Sequence, residues 1–105
     1  MPTIVVNIKY MQSFDPLHNP NHVYIGREHS RFPESKWHNP FVVGLDGTLG
    51  EVLEKYEQHV YASGLIKDID EIRDKVLGCW CKPEPCHGDI LMRLLKYRVT
   101  QSKLW

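Results

Sequence analysis

The segment KVLGCWCKPEPCHGDILMRLL, residues 75–95, constrains the fold of this chain more than any other. Residues 75–81 predict a strand, and KPEP at 82–85 predicts a tight turn. A helix is predicted to begin near Cys86, with a buried face at helical spacing formed by Ile90, Leu91, Leu94 and Leu95. This strand, turn and helix predict an α/β unit, which places ligands beyond the carboxyl end of a strand.

Apolar runs upstream of this segment predict three further strands, at 3–10, 22–28 and 41–44. The stretches 11–22 and 29–40 are rich in proline, asparagine and histidine, and are predicted to be loops. Loops this long are uncommon in a small domain and are usually functional or disordered. Three aromatic residues predict that the second loop packs against the domain: Phe32, Trp37 and Phe41.

Two capping boxes predict two helices between residues 48 and 76. Thr48 and Glu51 have capping-box spacing, and Gly64 suits the end of the helix that they begin. Its apolar stripe consists of Leu49, Val52, Leu53, Tyr56 and Val60. Asp68 and Glu71 predict a second, shorter helix, with Ile69, Ile72 and Val76 facing inward. The predicted fold is α/β: one domain over residues 1–105, with a small mixed sheet flanked by about three helices.

The composition narrows the class of protein. The chain has 105 residues and a formal net charge of zero, which does not predict a strongly basic nucleic-acid surface. Neither a membrane-spanning apolar run nor a secretory signal stands in the sequence. Three clustered cysteines are unlike the even, dispersed set of a secreted disulfide framework. We therefore expect a soluble cytoplasmic protein that has no membrane partner.

All three cysteines lie within residues 75–95. Cys79 and Cys81 are two residues apart on the predicted strand, so their side chains are expected on one face. Cys86 is expected at the start of the last helix, where free backbone N–H groups and the helix dipole favour a thiolate. The same helix start would hold a phosphate or carboxylate. Asp89 is placed to interact with the helix start or to orient His87.

Three interpretations of the cysteines remain open. Cys86 can be a reactive thiolate with His87 or His38 as its base. Alternatively, Cys79, Cys81, Cys86 and His87 provide four ligands of the types that bind zinc, although their spacing is not that of paired knuckles. Finally, the cysteines can be packing residues, because free cysteine is commonly buried.

The string GCWCKPEPCHGDIL, residues 78–91, resembles the signature of an uncharacterised family called domain of unknown function 4326. That family occurs in phages, bacteria and large viruses. VYIGR at 23–27, SKWHNPF at 35–41 and GTLGEVLEKYEQHV at 47–60 resemble its other blocks, so the similarity covers roughly residues 4–97. His38 is a departure, since the family often has glycine there. The resemblance implies an α/β fold and candidate positions, but no activity.

The positions that match the family blocks are Gly26, Arg27, Ser35, Asn39, Pro40, Phe41, Cys79, Trp80, Cys81, Lys82, Pro83, Cys86, His87, Gly88 and Asp89. Arg27, Asn39 and the start of the last helix are expected to converge on a polar pocket. Arginine suits phosphate or carboxylate, and Trp37 or Trp80 could stack on a flat ring.

Two hypotheses of function follow. In the first, a small domain, for which the family resemblance implies a phage origin, binds or acts on a nucleotide-like or other anionic ligand. Cys86 is then its chemical centre, Arg27 and Lys82 meet the negative charge, and His87 or His38 moves protons. In the second, a zinc-stabilised, non-enzymatic module binds a host protein in the host cytoplasm. Nucleic-acid binding is disfavoured by the zero net charge, although the last helix carries the basic residues Arg93, Lys96 and Arg98.

Overall fold

The computed structural model describes residues 2–82 and 84–103, with side chains as far as Tyr97. Its strands are β1 (Ile4–Asn7), β2 (His22–Tyr24) and β3 (Val76–Cys79). Its α-helices are α1 (Leu49–Ala62) and α2 (His87–Lys103), and two 3-10 helices span Ile8–Tyr10 and Leu65–Ile72. The predicted turn residue Pro83, the side chain of Arg98 and the last two residues of the tail lie outside this description.

The three described strands form one parallel sheet in the order β1-β3-β2. Val76 of the central strand pairs with Ile4 on one side and with His22 on the other. The α/β class is therefore confirmed, and the sheet is parallel rather than mixed. Because the strands are parallel, their carboxyl ends meet at one edge.

The strand predicted at 41–44 is wrong, because this segment forms a turn instead. The Val42 carbonyl accepts from the N–H groups of Leu45 and Asp46, and the Val42 N–H donates to the Asp46 carboxylate at 2.7 Å. The Gly44 N–H donates to the Gly47 carbonyl. These local bonds satisfy backbone groups that a strand would have paired with a neighbour.

Alternate residues of the strands bury opposite faces of the sheet, as strand geometry requires. One face contacts the helices through a core cluster that includes Ile25, Leu77, Tyr56 and Leu91. The other face is covered by aromatic residues from the two long loops: Phe14 and Phe32 pack with Tyr24 and Ile8. The prediction that the second loop packs against the domain is confirmed, since Phe32 and Trp37 are buried.

The capping box of α1 is confirmed. The Thr48 hydroxyl accepts from the Glu51 N–H, and the Glu51 carboxylate accepts from the Thr48 N–H at 3.0 Å. Val52, Tyr56 and Val60 of the predicted stripe are buried, whereas Leu49 is exposed. Gly64 follows the helix with φ of 85°, the left-handed conformation that favours glycine.

We expect Thr48→Ala to destabilise the protein by about 1 kcal/mol, because the variant loses a side-chain acceptor for an N–H group that has no partner within the helix. Urea denaturation would measure this loss. Gln58→Ala, at an exposed position of the same helix, is the control and should change stability by less than about 0.5 kcal/mol. Equal stability of the two variants would contradict a role for the cap.

The capping box predicted at Asp68 and Glu71 does not form, so this prediction is wrong. The 3-10 helix Leu65–Ile72 begins earlier than predicted, after Gly64, without a side-chain cap. Asp68 and Glu71 instead accept from the Lys36 ammonium at 3.0 Å and 2.9 Å, which joins this helix to the second loop. The inward positions of Ile69 and Ile72 are confirmed, since both are fully buried.

Candidate functional site

A cavity of about 410 Å³ lies at the carboxyl edge of the sheet, beside the start of α2. Tyr24 and Cys79, the last residues of β2 and β3, are part of its wall. The residues that follow these strands, among them Arg27 and Cys81, complete this side. The cavity therefore occupies the place where the sequence predicted a ligand site, and where open α/β sheets generally bind ligands.

The start of α2 is capped by two side chains. The Gly88 N–H donates to Cys86 Sγ at 3.2 Å, and the Cys86 N–H donates to the Asp89 carboxylate at 3.1 Å. The Asp89 bond is one half of a capping box, and the Cys86 sulfur takes the place of a serine or threonine hydroxyl by accepting from the second helical N–H. The cap fixes the Cys86 sulfur at the positive end of the helix dipole, as the sequence predicted.

The three cysteine sulfurs form a cluster, here called the thiol cluster: Cys79, Cys81 and Cys86. Their Sγ atoms all lie within 4.8 Å of one another, and Cys79 and Cys86 are 3.5 Å apart. All three are free thiols, and the cluster is a group that could hold a metal ion. β3 ends at Cys79, so Cys81 reaches the cluster from beyond the strand, not from a strand position as predicted.

The thiol cluster favours one thiolate, at Cys79. Hydrogen bonds from the Cys81 and Cys86 thiols, with the backbone N–H groups of Cys81 and Lys82, lower the pKa of Cys79 well below that of a free thiol. Donation to Cys79 correspondingly raises the pKa of Cys86 and of Cys81. The contacts among the three sulfurs therefore favour loss of a proton at Cys79 over loss at Cys81 or Cys86.

His87 is buried at the first position of α2 and lines the cavity. Its Nε2 lies 2.6 Å from the Ile25 carbonyl, which can only accept, so Nε2 carries a proton. Burial lowers the pKa of His87 and favours the neutral ring. The ring also packs edge-on against Tyr56, with centroids 4.9 Å apart. The group of potential metal ligands does not include His87.

Arg27 leaves the end of β2 and holds the second loop at the mouth of the cavity. Its Nε donates to the Asn39 carbonyl at 3.2 Å, and an Nη atom donates to the Phe41 carbonyl. The Asn39 side chain accepts from the Phe41 N–H at 2.9 Å, a local bond typical of asparagine in turns. Since both acceptors of Arg27 are neutral, its positive charge is not compensated by these bonds.

Trp80 lines the cavity and is 38% exposed. Its indole N–H donates to the Tyr24 hydroxyl at 2.9 Å, and its ring lies 4.9 Å from that of His29. The Tyr24 hydroxyl in turn donates to the Arg27 carbonyl at 2.5 Å. These contacts hold the indole in one orientation while part of its face stays accessible.

Four of the candidate residues do not line the cavity. Trp37 is buried in the core, so of the two tryptophans weighed for stacking only Trp80 is on the cavity wall. His38 bonds the Ser35 carbonyl at 2.7 Å through Nδ1, and its Nε2 faces Glu34. Lys82 pairs with Asp89, which raises the pKa of the lysine, and Asp89 caps α2 rather than orienting His87.

The sequence did not predict the apolar wall of the cavity. This wall consists of Phe41, Val42, Val43, Leu49, Val52 and Leu53. The last three were interpreted as one buried helix face, and Val42 and Val43 as a strand. The sequence carries no signal that separates this wall from the core, because the same apolar residue types form both; the 36% exposure of Leu49 is visible only in the folded structure.

These features define a class: a small parallel α/β domain with a thiol cluster and a cavity at the carboxyl edge of its sheet. The family described as Domain of unknown function (DUF4326) matches residues 7–97, and the chain belongs to this family. The resemblance seen in the cysteine segment is thereby confirmed.

Two viral proteins are similar to the chain. Uncharacterized protein R718 of Acanthamoeba polyphaga mimivirus is 38% identical over 86 residues, covering 70% of this chain and 66% of that protein. An uncharacterized 12.4 kDa protein from the nrdA-td intergenic region of Enterobacteria phage T4 is 48% identical over 27 residues, covering 26% of this chain and 25% of that protein. The chain therefore spans less than two thirds of either relative. No solved structure shows significant similarity to it.

Within the described residues, no helix has the length and apolarity needed to cross a membrane.

Proposed function

We propose that this domain binds a small nucleotide-like anion in the cavity at the carboxyl edge of its sheet. The observation that carries the proposal is the combination of Arg27, Trp80 and an apolar wall around one cavity of about 410 Å³. Cavities of roughly 300–1,000 Å³ with a few convergent polar groups are typical of small-molecule sites. A ligand that contains a base and a phosphate needs an aromatic and apolar surface for its ring and a cation for its phosphate.

Arg27 is the group that meets the negative charge. Its guanidinium donates to two loop carbonyls, which orients it without neutralising it. A guanidinium has five N–H donors, so donors remain for a phosphate or carboxylate after these two bonds. Glu28 lines the same cavity and supplies an acceptor for a hydroxyl or amino group of the ligand.

Trp80 is the group that stacks on the flat ring of the ligand. The indole is oriented by its bond to the Tyr24 hydroxyl, so little side-chain entropy is lost when a ring stacks on it. Stacking of a base on an aromatic side chain contributes about 1–3 kcal/mol. The apolar wall on the α1 side excludes water from the bound ring.

Chemical roles for Cys86, His87 and Asp89 stay predictions. The neutral His87 ring with its proton on Nε2 has an unprotonated Nδ1, as a proton acceptor requires. Asp89 would act through the helix cap by keeping the Cys86 sulfur in place. Binding of a host protein, the second hypothesis, also stays a prediction.

The test is calorimetric titration with the four ribonucleoside 5′-monophosphates, the free nucleosides and inorganic phosphate. We expect at least one monophosphate to bind more tightly than its nucleoside and than phosphate alone. Trp80→Leu should weaken binding by at least about fivefold, the lower end of the stacking contribution. Arg27→Gln should weaken binding of the monophosphate and leave binding of the nucleoside nearly unchanged.

The matched control is Arg31→Gln. Arg31 is an exposed arginine whose guanidinium lies over the Phe32 ring, and it is not part of the cavity wall. The Arg31→Gln variant should bind the monophosphate with the affinity of the parent protein. The proposal fails if no monophosphate binds, or if Arg27→Gln and Arg31→Gln weaken binding equally.

A further inference from the structure

The thiol cluster has an exposed member that packing does not explain. Cys79 and Cys86 are 1% and 2% exposed and fit the pattern of buried packing cysteines. Cys81 is an exposed residue, yet its sulfur lies within 4.8 Å of the other two. Three sulfurs at this separation, with one at the surface, form a donor set of the kind that soft metal ions prefer.

Local structure brings these sulfurs together. β3 ends at Cys79, and the chain turns so that the Glu84 N–H donates to the Cys81 carbonyl at 2.9 Å. The Asn7 amide, at the end of β1, donates to the Lys82 carbonyl at 2.6 Å and ties this turn to the sheet. The capping box of α2 then fixes Cys86. The cluster is thus built from the end of β3, a turn that is tied to the sheet, and the start of α2.

A backbone N–H group supports one of the three sulfurs as a thiolate. The Gly88 N–H donates to Cys86 Sγ at 3.2 Å, and such a bond stabilises the sulfur as a thiolate. Outer hydrogen bonds of this type orient metal ligands and tune their basicity. The sulfurs are therefore arranged to bind a cation rather than only to fill space.

We propose that Cys79, Cys81 and Cys86 bind one Zn²⁺ ion as three thiolates, with the fourth coordination position open to the cavity. A tetrahedral zinc with Zn–S bonds of about 2.3 Å separates its sulfurs by about 3.8 Å. The observed separation of 3.5 Å for Cys79 and Cys86, and the 4.8 Å limit for all three, bracket this value. All three residues line the cavity, so an exogenous group can approach the ion.

This site differs from the four-ligand set considered from the sequence. His87, the expected fourth ligand, holds the Ile25 carbonyl with Nε2 and is outside the ligand group. Structural zinc sites are closed by four protein ligands, whereas sites that bind or activate a ligand have three and an open position. The geometry therefore points to the second type of site.

Charge balance also suits the proposal. Binding of Zn²⁺ displaces the remaining thiol protons to solvent, and three thiolates with one Zn²⁺ leave a net charge of −1 at the centre. Arg27 lines the same cavity as the three sulfurs, and its bonds to two loop carbonyls leave its positive charge uncompensated. This charge offsets part of the residual charge of the centre.

The first experiment is titration of the reduced, metal-free protein with Zn²⁺ in competition with a chromophoric chelator, with native mass spectrometry for stoichiometry. We expect one Zn²⁺ per chain. Cys81→Ser should lower the affinity by more than about 100-fold, which exceeds the usual cost of losing an outer-shell partner. Because Cys81 is exposed, this variant should keep the parent circular dichroism spectrum.

His18→Ala is the control for adventitious binding, since His18 is an exposed histidine paired with Asp15. The His18→Ala variant should bind Zn²⁺ with the affinity of the parent protein. Absence of a one-to-one complex, or equal affinity of Cys81→Ser and the parent, would overturn the metal site. Failure of nucleotide binding would leave this result unchanged, so the two proposals fail separately.

The second experiment tests the open position with Co²⁺ as a spectroscopic probe. Sulfur-to-cobalt charge-transfer bands should appear with the intensity expected for three thiolate ligands. These bands should be weaker in the Cys81→Ser variant. Added cyanide should then shift the visible ligand-field bands, because it takes the fourth position. A spectrum of three-thiolate cobalt that cyanide does not change would overturn the open position.

Discussion

Tyr56→Ala is expected to destabilise the protein by about 3–5 kcal/mol, as removal of a buried aromatic ring usually does. Tyr56 is fully buried and belongs to the main core cluster. Its hydroxyl donates to the Trp37 carbonyl at 2.8 Å, and its ring packs edge-on against His87. One side chain of α1 thus supports both the second loop and the start of α2, so its removal loses contacts to both segments.

Thermal and urea denaturation would measure the loss. For a domain of about this size, 3 kcal/mol corresponds to a decrease in Tm of more than about 12 °C. Tyr61→Ala, at a half-exposed tyrosine of the same helix, is the matched control and should change stability by less than about 0.5 kcal/mol. Tyr56→Phe should cost about 1–3 kcal/mol, because it leaves the Trp37 carbonyl without this donor. A loss below 1 kcal/mol in Tyr56→Ala would contradict the packing described above.

Gly78→Ala is expected to destabilise the protein by at least about 1–3 kcal/mol through overpacking. A Cβ atom at Gly78 would lie 2.3 Å from the Phe14 ring, far inside the 3.5–4.0 Å of an ordinary carbon contact. Phe14 is 2% exposed, stacks on His22 and meets Phe32 edge-on, so its ring has little room to move. The methyl group would therefore displace the central strand or the first loop.

Gly50→Ala is the matched control, because a Cβ atom there meets nothing within 4 Å. Gly50 lies in α1, where alanine should stabilise the helix by about 0.5–1 kcal/mol. The two glycine substitutions thus have opposite expected signs in the same denaturation measurement. Combining Gly78→Ala with Phe14→Leu should cost less than the sum of the single changes, since the smaller side chain relieves the clash. Strict additivity would show that Phe14 is not the obstacle.

Features that depend on nearby residues were predictable from the sequence. The capping box of α1 needs only Thr48 and Glu51, and its buried stripe follows from helical periodicity. The strand, turn and helix around the cysteines are set by the same kind of local pattern. The capping box predicted at Asp68 was wrong because a longer-range partner, Lys36, binds both carboxylates.

Features that depend on distant residues were predicted less well. The segment 41–44 is an exception: it has the apolar residues of a strand, but its turn is formed by the nearby Asp46 side chain and by local backbone bonds. Arg27 and Asn39 were expected to converge with the cysteine segment, and both line the cavity with it. Their mutual bonding could not be predicted, because it is a contact between a side chain and the backbone of another loop.

The sequence by itself determined the α/β class, the start of α1 and the position of Cys86 at the start of α2, since caps and periodicity act within a few residues. Only the tertiary structure decided that β3 lies between two parallel strands, that Cys81 joins Cys79 and Cys86, and that Trp80 rather than Trp37 lines the cavity. The physical reason is that strand order and side-chain convergence depend on contacts between residues far apart in the chain, whose energies no local pattern contains.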